Sequence, residues 1–316
     1  MTSEWDADRL DLPAYLRRVG YAGPLGSDER TLTELHRAHV RTIPFENIDI
    51  VLGKGVSVDL DAVQAKLVDR CRGGYCFEHG LLFGAVLERL GYAVDRILAR
   101  VGADERRPKP RTHMALRVRA GGKAWLADVG FGSGLLEPMP WGATDPRRQG
   151  GWVYRLVSGR RGVWQLQERD SDDAASAEKR ASAVLPAASA EKRASTVLPA
   201  ASAEKRASAG KNWTALFSFT EDYQHASDVM VANHFTASNP SSPFVGRLVV
   251  MSRDVDCRRR LVGRRLAYLE PGKPGHERRL TDTGIVDALR TEFGLSLSKT
   301  DNRALLSILA DARNDV

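Results

Sequence analysis

The spacing of apolar residues changes at about Tyr92, and this change limits the fold more than any other feature of the chain. Upstream, apolar positions recur at helical intervals. LPAYLRRVG (Leu12 to Gly20) is a short amphipathic run ended by glycine. Thr31 to Val40 carries Leu32, Leu35, His36 and His39 at helical spacing, and Pro44 breaks the pattern. Leu60, Val63, Leu67 and Val68 mark a third run. A fourth follows Cys76 through Phe77, Leu81, Leu82, Ala85, Val86 and Leu90, with Gly91 as its stop. Downstream, ARVGA, THMALRVRA, AWLADVGF, GWVYRLV and GVWQLQE alternate or run apolar with β-formers, and Gly121 and Gly122 supply a hairpin turn. The last third mixes the two patterns. Phe244 to Met251 and Arg264 to Leu269 read as strands, Thr281 to Phe293 and Asn302 to Ala312 as amphipathic helices. Helices and strands segregated in this way are expected to give an α+β chain.

One segment follows neither pattern. AASAEKRASAVLP (174–186) recurs as AASAEKRASTVLP (187–199) and begins again at 200–209. Two and a half polar copies are too few for a solenoid, so about 171–210 reads as a low-complexity insertion. The chain is then expected to divide into a helical 1–92, a strand-rich 93–221 that carries the insertion, and a mixed 222–316.

Composition narrows the function classes. Hydrophobic residues make up 42% and charged residues 28%, as in an ordinary soluble globular protein. No run of 18 apolar residues occurs, and MTSEWDADRLDL lacks the basic start and apolar core of a signal peptide. Three cysteines argue for a reducing compartment, so a cytoplasmic protein without disulfides is expected, with no membrane partner. The net charge is +7, but the basic residues are scattered and accompany no nucleic-acid-binding motif. No nucleic-acid partner is expected; a positive surface also suits an anionic small molecule.

The chemistry centres on RGGYCFEHG, Arg72 to Gly80. Cys76 stands where Gly73 and Gly74 end and a helix begins. There, free N–H groups and the helix dipole stabilise a thiolate and can hold an oxyanion. The stretch alone equally supports a packed small cysteine on a glycine turn. A nucleophilic thiol needs a base, and the base an orienting group. In RTHMALRVRAGGKAWLADVGFG a two-residue turn at Gly121 and Gly122 pairs Ala120 with Lys123. Ala115 then faces Asp128, and His113 faces Gly130. His113 and Asp128 fall on one face of adjacent strands as diagonal neighbours, within reach of each other. A slip of one residue would separate them. Of the other histidines, His36 and His39 sit in a helical pattern, His79 has no evident orienter, and His225, His234 and His276 lie in loop-like or ambiguous contexts. Cys71, Cys76, His79 and Cys257 match no standard zinc spacing, and no metal is expected.

YLRRVG (15–20), LTELHRAHVRTIPFENIDI (32–50), RGGYCFEHG, THMALRV (112–118), LADVGFG (126–132) and NHFTASNPSSPF (233–244) together resemble the arylamine N-acetyltransferase family, in order over most of the chain. The resemblance implies an N-terminal helical bundle, a central β-barrel, a C-terminal α/β lid and a papain-like cysteine catalytic core. It implies Cys76, His113 and Asp128 as the triad, and Phe45, Tyr75, Gly130 and Phe131 around the substrate and acyl donor. It further implies an Arg72–Glu46 ion pair bracing the loop, and acetyl-coenzyme A as co-substrate. Acetyl would pass through a cysteine thioester to an arylamine, arylhydrazine or arylhydroxylamine, in the manner of a xenobiotic-metabolising enzyme; a homodimer is left open. Two positions depart from the family pattern: Gly80 where Asn is frequent, and Ser133 where another Gly usually follows DVGFG. The rival within this fold is an amide synthase that closes a macrolactam from a polyketide acyl chain with the same triad.

Overall fold

The computed structural model describes residues 4–104, 107–142, 144–170 and 212–311. The thirteen-residue repeat lies outside the described residues. The N-terminal helices are α1 (Leu12–Val19), α2 (Glu29–Thr42), α3 (Ile48–Val51), α4 (Leu60–Gln64) and α5 (Cys76–Arg89). Their starts are set by aspartates. Asp11, Asp28 and Asp59 accept from backbone N–H groups of the first turns of α1, α2 and α4, which have no intrahelical partner. α1 stops at Gly20 in the left-handed conformation, φ 67°. α5 is buried on every side from Cys76 to Leu87 and forms the axis of the bundle. At Gly80 a Cβ would come within 3.1 Å of the Met114 side chain, so glycine there brings α5 close against the barrel.

Strands β2 (Ala93–Val101), β3 (His113–Ala120), β4 (Lys123–Ala127), β5 (Met139–Pro140), β6 (Arg147–Gln149), β7 (Trp152–Ser158), β8 (Trp164–Arg169) and β9 (Trp213–Phe219) form one antiparallel sheet in the order β5-β4-β3-β2-β9-β8-β7-β6. The sheet curls into a nearly closed barrel around Ile97, Ala115, Leu126, Leu156, Leu166 and Phe217. Its free edges meet through a side chain: buried Gln149 of β6 accepts from Leu136 N at 2.8 Å and Glu137 N at 3.1 Å, and donates to Glu137 O at 2.9 Å. The expected turn is present. Gly121 and Gly122 both have positive φ, 57° and 75°, the left-handed pair a tight hairpin requires, and Ala120 pairs with Lys123.

A second sheet runs β1-β10-β11-β12-β13, from β1 (Phe45–Glu46), β10 (Val249–Arg253), β11 (Arg258–Val262), β12 (Arg265–Leu269) and β13 (His276–Arg279). Its first strand comes from the N-terminal part, next to the cysteine loop. Helices α7 (Asp282–Thr291) and α8 (Lys299–Asp311) cover one face through Ile285, Leu289 and Leu305. Two expectations are corrected here. Residues 244–248 are not strand: Gly246 is left-handed, φ 74°, and the Asn47 amide donates to the carbonyls of Phe244 and Arg247, each at 2.8 Å. His225 and His234 are not in loops either; His225 caps helix α6 (Ala226–Ser238), and His234 lies within it. Among the described residues no helix is long and apolar enough to cross a membrane.

Candidate active site

Cys76 is the first residue of α5 and is buried. The glycines before it are demanded by close approach. A Cβ on Gly73 would lie 2.2 Å from Pro44 O, and one on Gly74 would lie 2.8 Å from the Glu78 carboxylate. Without side chains, this loop forms a parallel bridge to β1, with Glu46 N on Gly74 O at 2.7 Å. Glu78 reaches back to accept Tyr75 N at 2.9 Å and so fixes the start of α5. Beneath the loop, Arg72 donates to Glu46 at 2.7 Å and Asp49 at 3.2 Å, while Lys66 meets Glu78 and Asp49, each at 2.8 Å. The expected Arg72–Glu46 contact is therefore part of a network of five charged groups. Burial pushes the Glu78 carboxyl up, Lys66 pulls it down, and it settles at about 7.

His113 opens β3, and Asp128 follows the last residue of β4. The ladder between these strands runs from Ala120↔Lys123 to Leu116↔Ala127. Continued past that end, the register brings His113 Nε2 within 2.9 Å of Asp128 Oδ2. Both residues are 2% exposed. The other carboxylate oxygen accepts Gly130 N at 3.0 Å. Burial pushes the His113 imidazole down, but the charge and hydrogen bond of Asp128, with help from Cys76, outweigh it and raise the pKa to about 10. Two contacts bring the thiol to this pair. Cys76 Sγ lies 3.5 Å from the carbonyl of Thr112, the residue before His113. At Gly130 a Cβ would strike Cys76 Cα at 2.9 Å, so the Asp128–Gly130 turn packs directly on the first turn of α5.

The aromatic positions separate. Phe131 stands edge-on to the His113 ring at 5.1 Å, and Phe217 lies against the same ring at 4.8 Å. Phe45 is buried and packs on Phe244 at 5.6 Å. Tyr75 is fully buried; its hydroxyl donates to the Asn233 side chain, and its ring packs on Phe77 and Phe244. Tyr75 is thus part of the core under the loop.

Three histidines to which the sequence assigned no catalytic role, His36, His39 and His79, are buried beside this site. Asp128 N donates to His36 Nε2 at 3.1 Å, and His36 Nδ1 donates to Leu136 O at 3.0 Å. His79 Nε2 faces Pro44 O at 3.3 Å and must carry its proton there. His79 Nδ1 therefore accepts from His39 Nε2 at 2.8 Å, and His39 Nδ1 accepts from the Tyr15 hydroxyl at 3.0 Å. Each ring is a neutral tautomer fixed by its partners. Among the described residues no group of His, Cys, Asp and Glu is arranged to hold a metal.

Comparisons with known proteins identify the family. A family model described as N-acetyltransferase matches residues 28–302. The arylamine N-acetyltransferase of Mycolicibacterium smegmatis is 32% identical over 96% of this chain and 98% of its own. The structure of the arylamine N-acetyltransferase from Mycobacterium abscessus superposes with a TM-score of 0.81, at 34% identity over 97% of each chain. That of the Mycobacterium marinum enzyme in complex with CoA superposes at 0.76, with 29% identity over 95% of this chain and 98% of that one. By fold, by sequence and by the family model, this chain belongs to the arylamine N-acetyltransferase family of acyltransferases.

Proposed function

We propose that this chain transfers acetyl from acetyl-coenzyme A to an arylamine, arylhydrazine or arylhydroxylamine through a thioester on Cys76. The contact that carries the reading is the 2.9 Å bond between His113 Nε2 and the Asp128 carboxylate, buried beside a cysteine at a helix N-terminus. Asp128 holds Nε2 protonated, so Nδ1 serves the thiol. The imidazolium and the start of α5 both favour the thiolate. In the first half-reaction Sγ attacks the thioester carbonyl. The bond from that carbon to the coenzyme A sulfur breaks, and the departing thiolate takes a proton from His113. In the second, the amine attacks the acetyl-cysteine carbonyl, its proton passes to His113, and the carbon–Sγ bond breaks. Phe131 and Phe217 would pack the aromatic acceptor beside His113. Arg72 and Glu46 brace the loop and touch no reacting atom.

The donor's phosphates need cations outside the triad. Arg111, one residue before Thr112 and paired with Asp222 at 3.1 Å, lines an open cleft with Arg100, Arg160, Arg161 and Asp104. Four guanidiniums lining one cleft suit a polyphosphate. Intact-protein mass after mixing with acetyl-coenzyme A, without acceptor, tests the mechanism. The expected result is one added acetyl group on the wild type, none on Cys76→Ala, and discharge by an arylamine. Unchanged turnover in Cys76→Ala would overturn it. A Cys76 that alkylates readily yet takes no acetyl would point to another acyl donor.

A further inference from the structure

Three arginines project from one face of the second sheet toward the barrel: Arg253, Arg258 and Arg260. The register fixes their direction, because Arg253 lies opposite Arg258, Arg260 opposite Met251, and Met251 opposite Phe45. Met251 Cε and Phe45 Cβ both close on Gly132, at 2.7 and 3.1 Å from where a Cβ would begin. The row Phe45, Met251, Arg260 therefore faces the loop that follows Asp128.

Two of the three guanidiniums are held by the barrel. Arg253 donates to the Tyr154 hydroxyl at 2.9 Å and lies over Trp152 at 4.6 Å. Arg258 pairs with Glu168 at 2.8 Å and lies over the same ring at 4.2 Å. The Arg260 side chain has no hydrogen bond or ion pair among the described residues. The carboxylate whose field reaches it, Glu277, is engaged by Arg265 at 2.8 Å. Arg260 is half-buried and lines a cleft between sheet and barrel with Phe131, Ser133, Trp152 and Leu216. Of the two acids of that cleft, Glu168 is paired with Arg258, and Asp170 accepts from the Thr214 hydroxyl at 2.6 Å. Ser133, where the family usually has glycine, adds a hydroxyl to the same wall. On its other side, Phe131 touches the His113 ring.

A half-buried guanidinium without a partner among the described residues is an incomplete anion site. One fork matches one carboxylate, whereas the donor's several phosphates match the four-arginine cleft. We propose that Arg260 selects aromatic acceptors that carry a carboxylate, holding that group while the ring lies against Phe131 and the amine reaches the acyl-cysteine. This rests on the acetyl-transfer reading above.

The test compares kcat/KM for 4-aminobenzoate and its neutral isostere 4-aminobenzamide, at saturating acetyl-coenzyme A, in wild type, Arg260→Gln and Arg260→Lys. The benzoate-to-benzamide ratio is expected to fall about tenfold or more in Arg260→Gln, the size of a lost charge-assisted contact. It should recover in part in Arg260→Lys, with the change in the acceptor KM. An unmoved ratio overturns the proposal. So does a rise in the KM for acetyl-coenzyme A that is the same with either acceptor, which would give Arg260 to a donor phosphate. Acetylation of the benzamide by wild type keeps the acetyl-transfer reading intact in both cases; failure of wild type to acetylate either compound overturns both. Should Arg260→Gln fail to fold, inhibition of the wild type by benzoate against benzamide gives the same discrimination, and equal inhibition overturns the proposal.

Discussion

His113 and His79 are both nearly inaccessible to water, and both lie within the shell around Cys76. Yet one is raised to about 10 and the other depressed to about 4. Burial pushes each of them down, because an imidazolium loses its hydration. The hydrogen-bond partners of His79 are neutral, the Pro44 and Gly74 backbone and the His39 ring. His113 has a carboxylate at 2.9 Å. The same side chain at the same depth is a cation on the barrel side of the thiol and a neutral strut on the helix side, and one aspartate makes the difference. The rule extends to Lys66. Burial opposes its charge, but Glu46, Glu78 and Asp49 outweigh burial and raise its pKa.

The most direct way to break the contrast is Asp128→Asn. The amide keeps the shape, loses the charge and leaves His113 in the electrostatic position of His79. Turnover should fall by about 10³- to 10⁴-fold, as when a triad loses its carboxylate, and alkylation of Cys76 at pH 7 should slow with it. Near-wild-type alkylation would show that the helix start alone sustains the thiolate. Next in size is Lys66→Met. Removing the cation leaves Glu46, Asp49 and Glu78 facing Arg72 alone, and an uncompensated buried charge costs about 3–5 kcal/mol. A clear drop in Tm is expected, smaller at pH 5, where Glu78 is protonated. An unchanged Tm would mean that Arg72 suffices.

The parts of the site legible in the sequence are those fixed by local chain geometry. Gly121 and Gly122 pin one turn, the turn pins the register, and the register brings His113 to Asp128. Likewise the aspartate caps and Gly20 bound the helices. What stayed hidden depends on distant segments. His36 and His39 sit at helical spacing, and nothing in that pattern distinguishes a histidine bonded to Asp128 or His79 from one packed or solvated. Helix α6 has no apolar stripe to read: Met230 and Val231 are 56% and 68% exposed, while Asn233 and Thr236 are buried. Its polar face turns inward because Asn233 meets the Tyr75 hydroxyl and the Val56 carbonyl. The residues 244–248 read as strand from composition, but Asn47, far away in the chain, captures two of their carbonyls.

The finest test of the contrast is its dependence on pH. His79 is depressed to about 4 from 6.5, and His36 likewise, so each contributes stability above 6.5 that is lost as pH falls toward 4. His113 is raised from 6.5 to about 10, so its contribution is full below 6.5 and fades as pH rises toward 10. Glu78, raised from 4.5 to about 7, also loses its contribution upward, between those values. The whole stability curve mixes these slopes, and a variant difference separates them. His79→Gln preserves both contacts, with an amide oxygen for His39 and an amide N–H for Pro44 O, but cannot take a proton. The stability of wild type relative to this variant should be flat above pH 6.5. Between 6.5 and 4 it should decline by up to about 1.4 kcal/mol per pH unit, the limit for one proton. Urea midpoints across that range read the difference directly. A flat difference throughout would mean that His79 takes up its proton in the folded protein as easily as in the unfolded chain. The neutral strut would then be a property of the hydrogen-bond pattern alone and not of its burial.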